Sequence, residues 1–178
     1  MKLLLSLVFL SIFSVVAMAS TGSTYSGQEK REIKSLSKNE ISGYLNGKGM
    51  GFSKVAELNH FPGPRHVLDL AIELQLSKQQ IEKTNILYQA MKIKAKKYGS
   101  FLVEKEKEIE SLFLAKEVDS IKLEKLAKES AEFTAQIRLA HLEAHVSQQQ
   151  LLTKKQIRKY DDLRGYSSGK NQEHKHHH

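Results

Sequence analysis

The chain has 178 residues, with 28 Lys and Arg against 20 Asp and Glu, a formal charge of +8 and no cysteine. That length suits one domain with a modest core, and the missing cysteine excludes disulfide staples, thiolate zinc sites and a cysteine nucleophile. The basic balance suits anionic surfaces, acidic partners or unfolded chains.

Lys2, an apolar run over 3–16 and then Ala17-Met18-Ala19 have the order of a secretory signal peptide, 1–19, cut near Ala19. A membrane anchor needs ~20 apolar residues, and this run is shorter, so cleaved export is expected and the mature chain has no membrane span. Nucleic acid is not expected as a partner of an exported protein. Residues 20–63 are expected to form a mobile leader and a Gly-rich segment. Within them "GYLNGKGMG" (43–51) should be irregular, with Tyr44, Leu45 and Met50 able to dock. A short helix is predicted over 53–58, and "FPGP" then forces a turn because both prolines fix φ.

From Pro64 onward every signal is helical. Pro64 suits the first position of a short helix, "PRHVLDLAIEL". Ser77-Lys78-Gln79-Gln80 matches a capping box and opens a long helix. Its stripe runs Ile81, Thr84, Tyr88, Met91, Ala95, Tyr98, Leu102, Lys105, Ile109, Leu112, stepping by threes and fours. Gly99 marks a bend, a close helix contact or a tolerated surface glycine. After a break over 116–119, a third helix to about Gln150 carries Leu123, Leu126, Ser130, Phe133, Ile137, Ala140, Ala144, Ser147 and Leu151 on the same rhythm. Thr153-Lys154-Lys155-Gln156 is a second box and starts a last helix to about Arg164, which Gly165 can end. The tail, 167–178, should be disordered.

"LSKQQIEK" (76–83) and "LTKKQIRK" (152–159) form a small internal repeat: Leu76 and Leu152, then Ser77 and Thr153 as caps, then Gln80 and Gln156. Capping boxes are common, but two copies flanking one antiparallel hairpin are more specific. The repeated L-[ST]-x-x-Q element in an exported, helical, cysteine-free chain resembles the LTxxQ, or Spy/CpxP-like, periplasmic family. That family includes stress-induced chaperones, an inhibitor of a sensor kinase, and the metal-binding relatives ZraP and CnrX. The second copy is the better match, since the first has Ser77 for threonine. The resemblance spans 64–166 and leaves the Gly-rich segment outside it. It implies an all-α fold, a long antiparallel hairpin with short capped helices, four in all, assembled as a curved homodimer with a concave face. A homodimer also follows if long amphipathic helices cannot bury their stripes within one chain.

The implied function is that of a periplasmic, ATP-independent chaperone or envelope-stress adaptor, binding unfolded or envelope proteins or a sensor-kinase periplasmic domain. Its candidate surface is Met91, Lys92, Ile93, Lys94, Lys96, Lys97, Tyr98 and Phe101, apolar groups among lysines that can hold partly unfolded chains. The alternative use of those lysines is snorkelling over an interface. An enzyme is not expected. In His141-Leu142-Glu143-Ala144-His145 the glutamate does not follow the first histidine as a zincin requires, and the carboxylates of "EKEKEIE" (104–110) suit a lysine-paired face.

The other reading is a heavy-metal-binding or metal-sensing protein. His141 and His145, one turn apart, could share Zn, Cu, Ni or Co, with His66 and His60 completing the set and Met50 a soft donor for copper. Otherwise they hydrogen-bond or face water. His174, His176, His177 and His178 would bind late transition metals loosely, whether the tail is native or an expression remnant.

Overall fold

A computed structural model describes residues 23–167. The expected signal peptide and the tail histidines lie outside the described residues. Residues 23–30 belong to a first unit and include a 3-10 turn at Gln28–Lys30. The second unit begins at Arg31. It holds α1 (Lys38–Leu45), α2 (Lys54–Glu57), α3 (Pro64–Asp69), α4 (Lys78–Ala115), α5 (Ser120–Leu151) and α6 (Lys154–Arg164). Among the described residues there is no strand, and no helix is long and apolar enough to cross a membrane.

The α4–α5 hairpin is built on the two predicted stripes. Thr84, Met91, Ala95, Leu102 and Leu112 of α4 are buried, as are Leu126, Ser130, Ile137, Ala140 and Ala144 of α5, and no stripe residue is exposed. The turn between them follows from two local choices. Lys116 takes a left-handed conformation (φ 58°) that ends α4, and the Asp119 carboxylate accepts from Lys122 N at 2.7 Å to start α5. Because each helix covers the other's stripe, the packing argument for a homodimer falls away. The stripes need no second copy.

At the open end both capping boxes form, and they interlock. Gln80 and Gln156 each accept from their own cap's backbone N–H, at 3.0 and 2.9 Å. Gln80 Nε2 also donates to Leu151 O and Gln156 Oε1, each at 2.9 Å, while Gln156 Nε2 donates to Leu74 O at 3.2 Å. The repeat therefore ties the start of α4 to the α5–α6 corner. Val67, Leu74, Leu152 and Tyr160 form the core beneath it, with Leu70, Leu76 and Ile157 packed alongside. The helix opened by Pro64 stops at Asp69, short of the predicted Leu74. Gln75, at φ 51°, turns the chain so that Leu74 and Leu76 on either side of it reach that core.

The expected mobile leader gives way to a packed arm from Arg31 onward. Ile33 and Leu36 are buried against Val103 of α4, with Ile41 and Tyr44 beside them. Ser37 and Glu40 form a third capping box, which starts α1. Two of the four carboxylates expected to make a lysine-paired face on α4 hold this arm, Glu110 accepting from Lys34 N at 3.0 Å and Glu106 from Ser35 Oγ at 2.7 Å, while Glu108 pairs with Lys105 at 2.7 Å as expected. Gly99 proves to be a close contact, since a Cβ there would lie 2.2 Å from Tyr44 O. The helical domain thus begins about thirty residues before the expected boundary at 64, because apolar groups spaced too irregularly to read as a stripe still reach one groove.

Candidate functional site

The segment from α2 through the "FPGP" turn crosses α5 near its end, and Glu57 is the hub of that crossing. Its side chain is 12% exposed. Tyr160 and Tyr166 hydroxyls donate to Oε1 at 2.5 and 3.2 Å, Arg164 Nε stands 3.4 Å from it, and Gly63 N donates to Oε2 at 3.2 Å. Burial, with the Glu57 carboxylate alongside, pushes the Tyr160 phenol far above its usual range. An acidic side chain in this position needs several donors to offset its desolvation, and it has them.

His145 sits against the same turn. Its Nδ1 donates to Phe61 O at 2.7 Å and lies 3.7 Å from Glu57 Oε2, which fixes a proton on Nδ1. Gly63 is tight over the ring: a Cβ there would fall 2.9 Å from Nε2. His141, one turn earlier, is buried and stacks on Phe52, with centroids 6.4 Å apart and planes 13° apart. Its Nε2 is buried without a hydrogen-bond partner. Burial, then the neighbouring His145, lower its pKa, against a weaker opposing effect of the Lys48 backbone.

Of these residues Glu57, Gly63, His141, His145, Arg164 and Tyr166 wall a cleft of about 760 Å³ under the Gly-rich segment. The predicted histidines divide around it. His66, His141 and His145 line the cleft, but His60 does not. His60, at φ 66°, instead pairs through Nδ1 with Asp161 Oδ2 at 2.8 Å on the other side of α6, so the expected four-histidine set is not assembled. His66 Nδ1 lies 3.5 Å from Asp69 Oδ2. Among the described residues no three His, Asp or Glu stand at metal-holding spacing. Met50, whose place the sequence left open, joins the cleft wall with its sulfur packed over Gly43.

The predicted client surface divides as well. Met91 is buried against Ala95 and Ala144 and forms part of the cleft wall instead. Tyr98 is half-buried, stacked on Phe133, and Phe101 lies 5.2 Å from that same ring. Lys92 Nζ lies over the Tyr88 ring and Lys97 Nζ over the Tyr98 ring, both at 5.7 Å from the centroid. Ile93 remains 68% exposed, between exposed Lys94, Lys96 and Lys97. Lys94 pairs with Glu143 at 3.4 Å.

The sequence reading missed Glu57, Arg164, Lys48, Lys54 and Arg65. Glu57 follows no periodic pattern, and only the fold aligns it with two tyrosines about a hundred residues on.

The lowered His141 pKa fixes the sign of one pH effect. The folded state resists protonating the ring, whereas the unfolded chain protonates near 6.5, so stability present above that pH is lost progressively as pH falls from there through the lower folded-state pKa. Thermal unfolding at pH 7.5 and 5.0 should show a lower midpoint in acid, and His141→Phe should shrink the difference. The sequence matches no family model and no curated protein, and the fold matches no solved structure.

Proposed function

We propose that this chain is an exported, periplasmic, ATP-independent chaperone or envelope-stress adaptor of the LTxxQ type, which binds unfolded or partner proteins without catalysis. The observation that carries the reading is the interlock of Gln80 with Gln156 at the open end of the long hairpin. It couples the two motif copies on which the resemblance rests. Ile93, exposed among Lys94, Lys96 and Lys97, supplies an apolar contact ringed by charge. A protein lacking residues 1–19 and the last eight residues should suppress aggregation of a chemically denatured client at near-stoichiometric ratio. Ile93→Asp should weaken that suppression severalfold. Failure with several clients would remove the reading.

A second reading, heavy-metal binding by His141 and His145, is favoured by two features. His145 is oriented by a backbone carbonyl through Nδ1, as metal-ligating histidines commonly are, and His141 Nε2 is buried without a partner. The same tail-less protein should then bind about one Zn, Cu, Ni or Co per chain by titration, and His141→Ala with His145→Ala should abolish binding. Binding that disappears with the tail alone rejects this site.

A further inference from the structure

The cleft beneath the Gly-rich segment has a chemical character that neither client holding nor metal binding uses. Its volume, about 760 Å³, falls in the range of small-molecule sites, ~300–1,000 Å³. Its apolar wall includes Met50, Leu58, Tyr88 and Met91. Around that wall stand Lys48, Lys54, Arg65 and Lys92, contributed by the Gly-rich segment, α2, α3 and α4.

The charges in this cleft do not cancel. Glu57 is its only lining carboxylate, and both its oxygens are engaged by Tyr160, Tyr166, Arg164 and Gly63. Among the described residues Lys48, Lys54 and Lys92 make no ion pair, and Arg65 reaches Asp69 only at 3.9 Å, with both side chains exposed. Such a cleft concentrates anions and repels cations, more strongly than a flat surface of equal charge. An inorganic anion would satisfy the rim and leave the apolar wall wet. A neutral apolar molecule would satisfy the wall and leave the rim unused.

We propose that the cleft binds a small amphiphilic anion, an apolar body carrying one carboxylate or comparable anionic head. The body lies against Met50, Tyr88 and Met91, and the head is held by Lys48, Lys54 and Lys92. The Lys92 ammonium, over the Tyr88 ring, already stands where apolar wall meets charged rim. This role goes beyond the chaperone reading and stands or falls separately from it, since client suppression is measured without the amphiphile.

The test is a calorimetric titration of the full chain, dialysed against a chelator so that no metal on the histidines can bridge to a carboxylate. Octanoate is the probe, with octanol and inorganic phosphate as the neutral and head-only comparisons. Octanoate should bind saturably at one per chain with Kd below ~1 mM, at least about tenfold tighter than either comparison. Lys48→Glu with Lys54→Glu should weaken it by about tenfold or more, and added salt should weaken it too. Equal binding of octanol, equal binding of phosphate, or indifference to the charge reversal would each overturn the proposal. If the double variant unfolds, a photoreactive fatty acid on the unaltered chain decides: labelling at Met50, Tyr88 or Met91 supports the site, and labelling elsewhere removes it.

Discussion

Gly99→Ala should destabilise the protein by about 2–3 kcal/mol, although Gly→Ala inside a helix ordinarily stabilises by about 1 kcal/mol. The reversal comes from a backbone neighbour. The new Cβ would fall 2.2 Å from Tyr44 O and 2.7 Å from Tyr44 C, and neither atom can rotate out of the way. Helix α1 would have to lift from α4, opening the cluster of Ile33, Leu36 and Val103 that its last turn closes. Gly49→Ala is the matched comparison, because a Cβ there meets nothing within 4 Å, and its effect should stay within about 0.5 kcal/mol. Urea unfolding of both variants measures the difference. A stabilised Gly99→Ala would mean that α1 does not dock on this face in solution.

The elements that could be read from the sequence are those whose information is local. Both predicted capping boxes start helices at Lys78 and Lys154, and the 3–4 rhythm places most of the buried residues of α4 and α5, though not Val103, His141, His145 or Gln148. Pro64 opens α3 and Gly165, at φ 75°, closes α6 by the same kind of local rule. What stayed hidden depends on partners far along the chain. Ile33 and Leu36 gain meaning only from Val103, and Gly99 only from Tyr44. Even Ser37-Lys38-Asn39-Glu40, a capping box of the same kind, went unread inside a segment whose composition suggested disorder.

The candidate site was legible in a narrower way. The i,i+4 spacing put His141 and His145 on one side of α5, and both are buried there. Spacing could not say that Phe61 O would orient His145, or that Asp161 would draw His60 away to the far side of α6. Nor could it pair the Gly-rich segment with the hairpin. Gly47 is pressed to 3.1 Å from Lys92 O, measured from where its Cβ would be, so the glycines bring the segment's backbone close enough to roof the cleft. Of the glycines in that segment, Gly43 and Gly47 are spacers in tight contacts, whereas Gly49 and Gly51 stand open.

Glu57→Gln should cost about 2–4 kcal/mol, the range expected when a largely buried, multiply bonded charge is removed and its partners remain. The carboxylate only accepts, and its neighbours here donate to it: two phenols, a backbone N–H and a guanidinium, the last two of which cannot accept in return. An amide of the same shape places an NH₂ against one or more of those donors. Arg164, left without its carboxylate, becomes a further uncompensated charge in the cleft. Tyr160 gives an independent readout. Its folded-state pKa is raised, first by burial and then by the bond to Glu57, so its contribution is complete below the ordinary 10.0 and fades as alkaline pH ionises the unfolded chain. In Glu57→Gln the phenol should ionise at lower pH than in the unaltered chain, followed by its absorbance at 295 nm. Stability within about 0.5 kcal/mol of the unaltered chain, with no change in that titration, would remove Glu57 as the hub. If the variant remains folded, its cleft is more cationic, and octanoate should bind it at least as tightly as before.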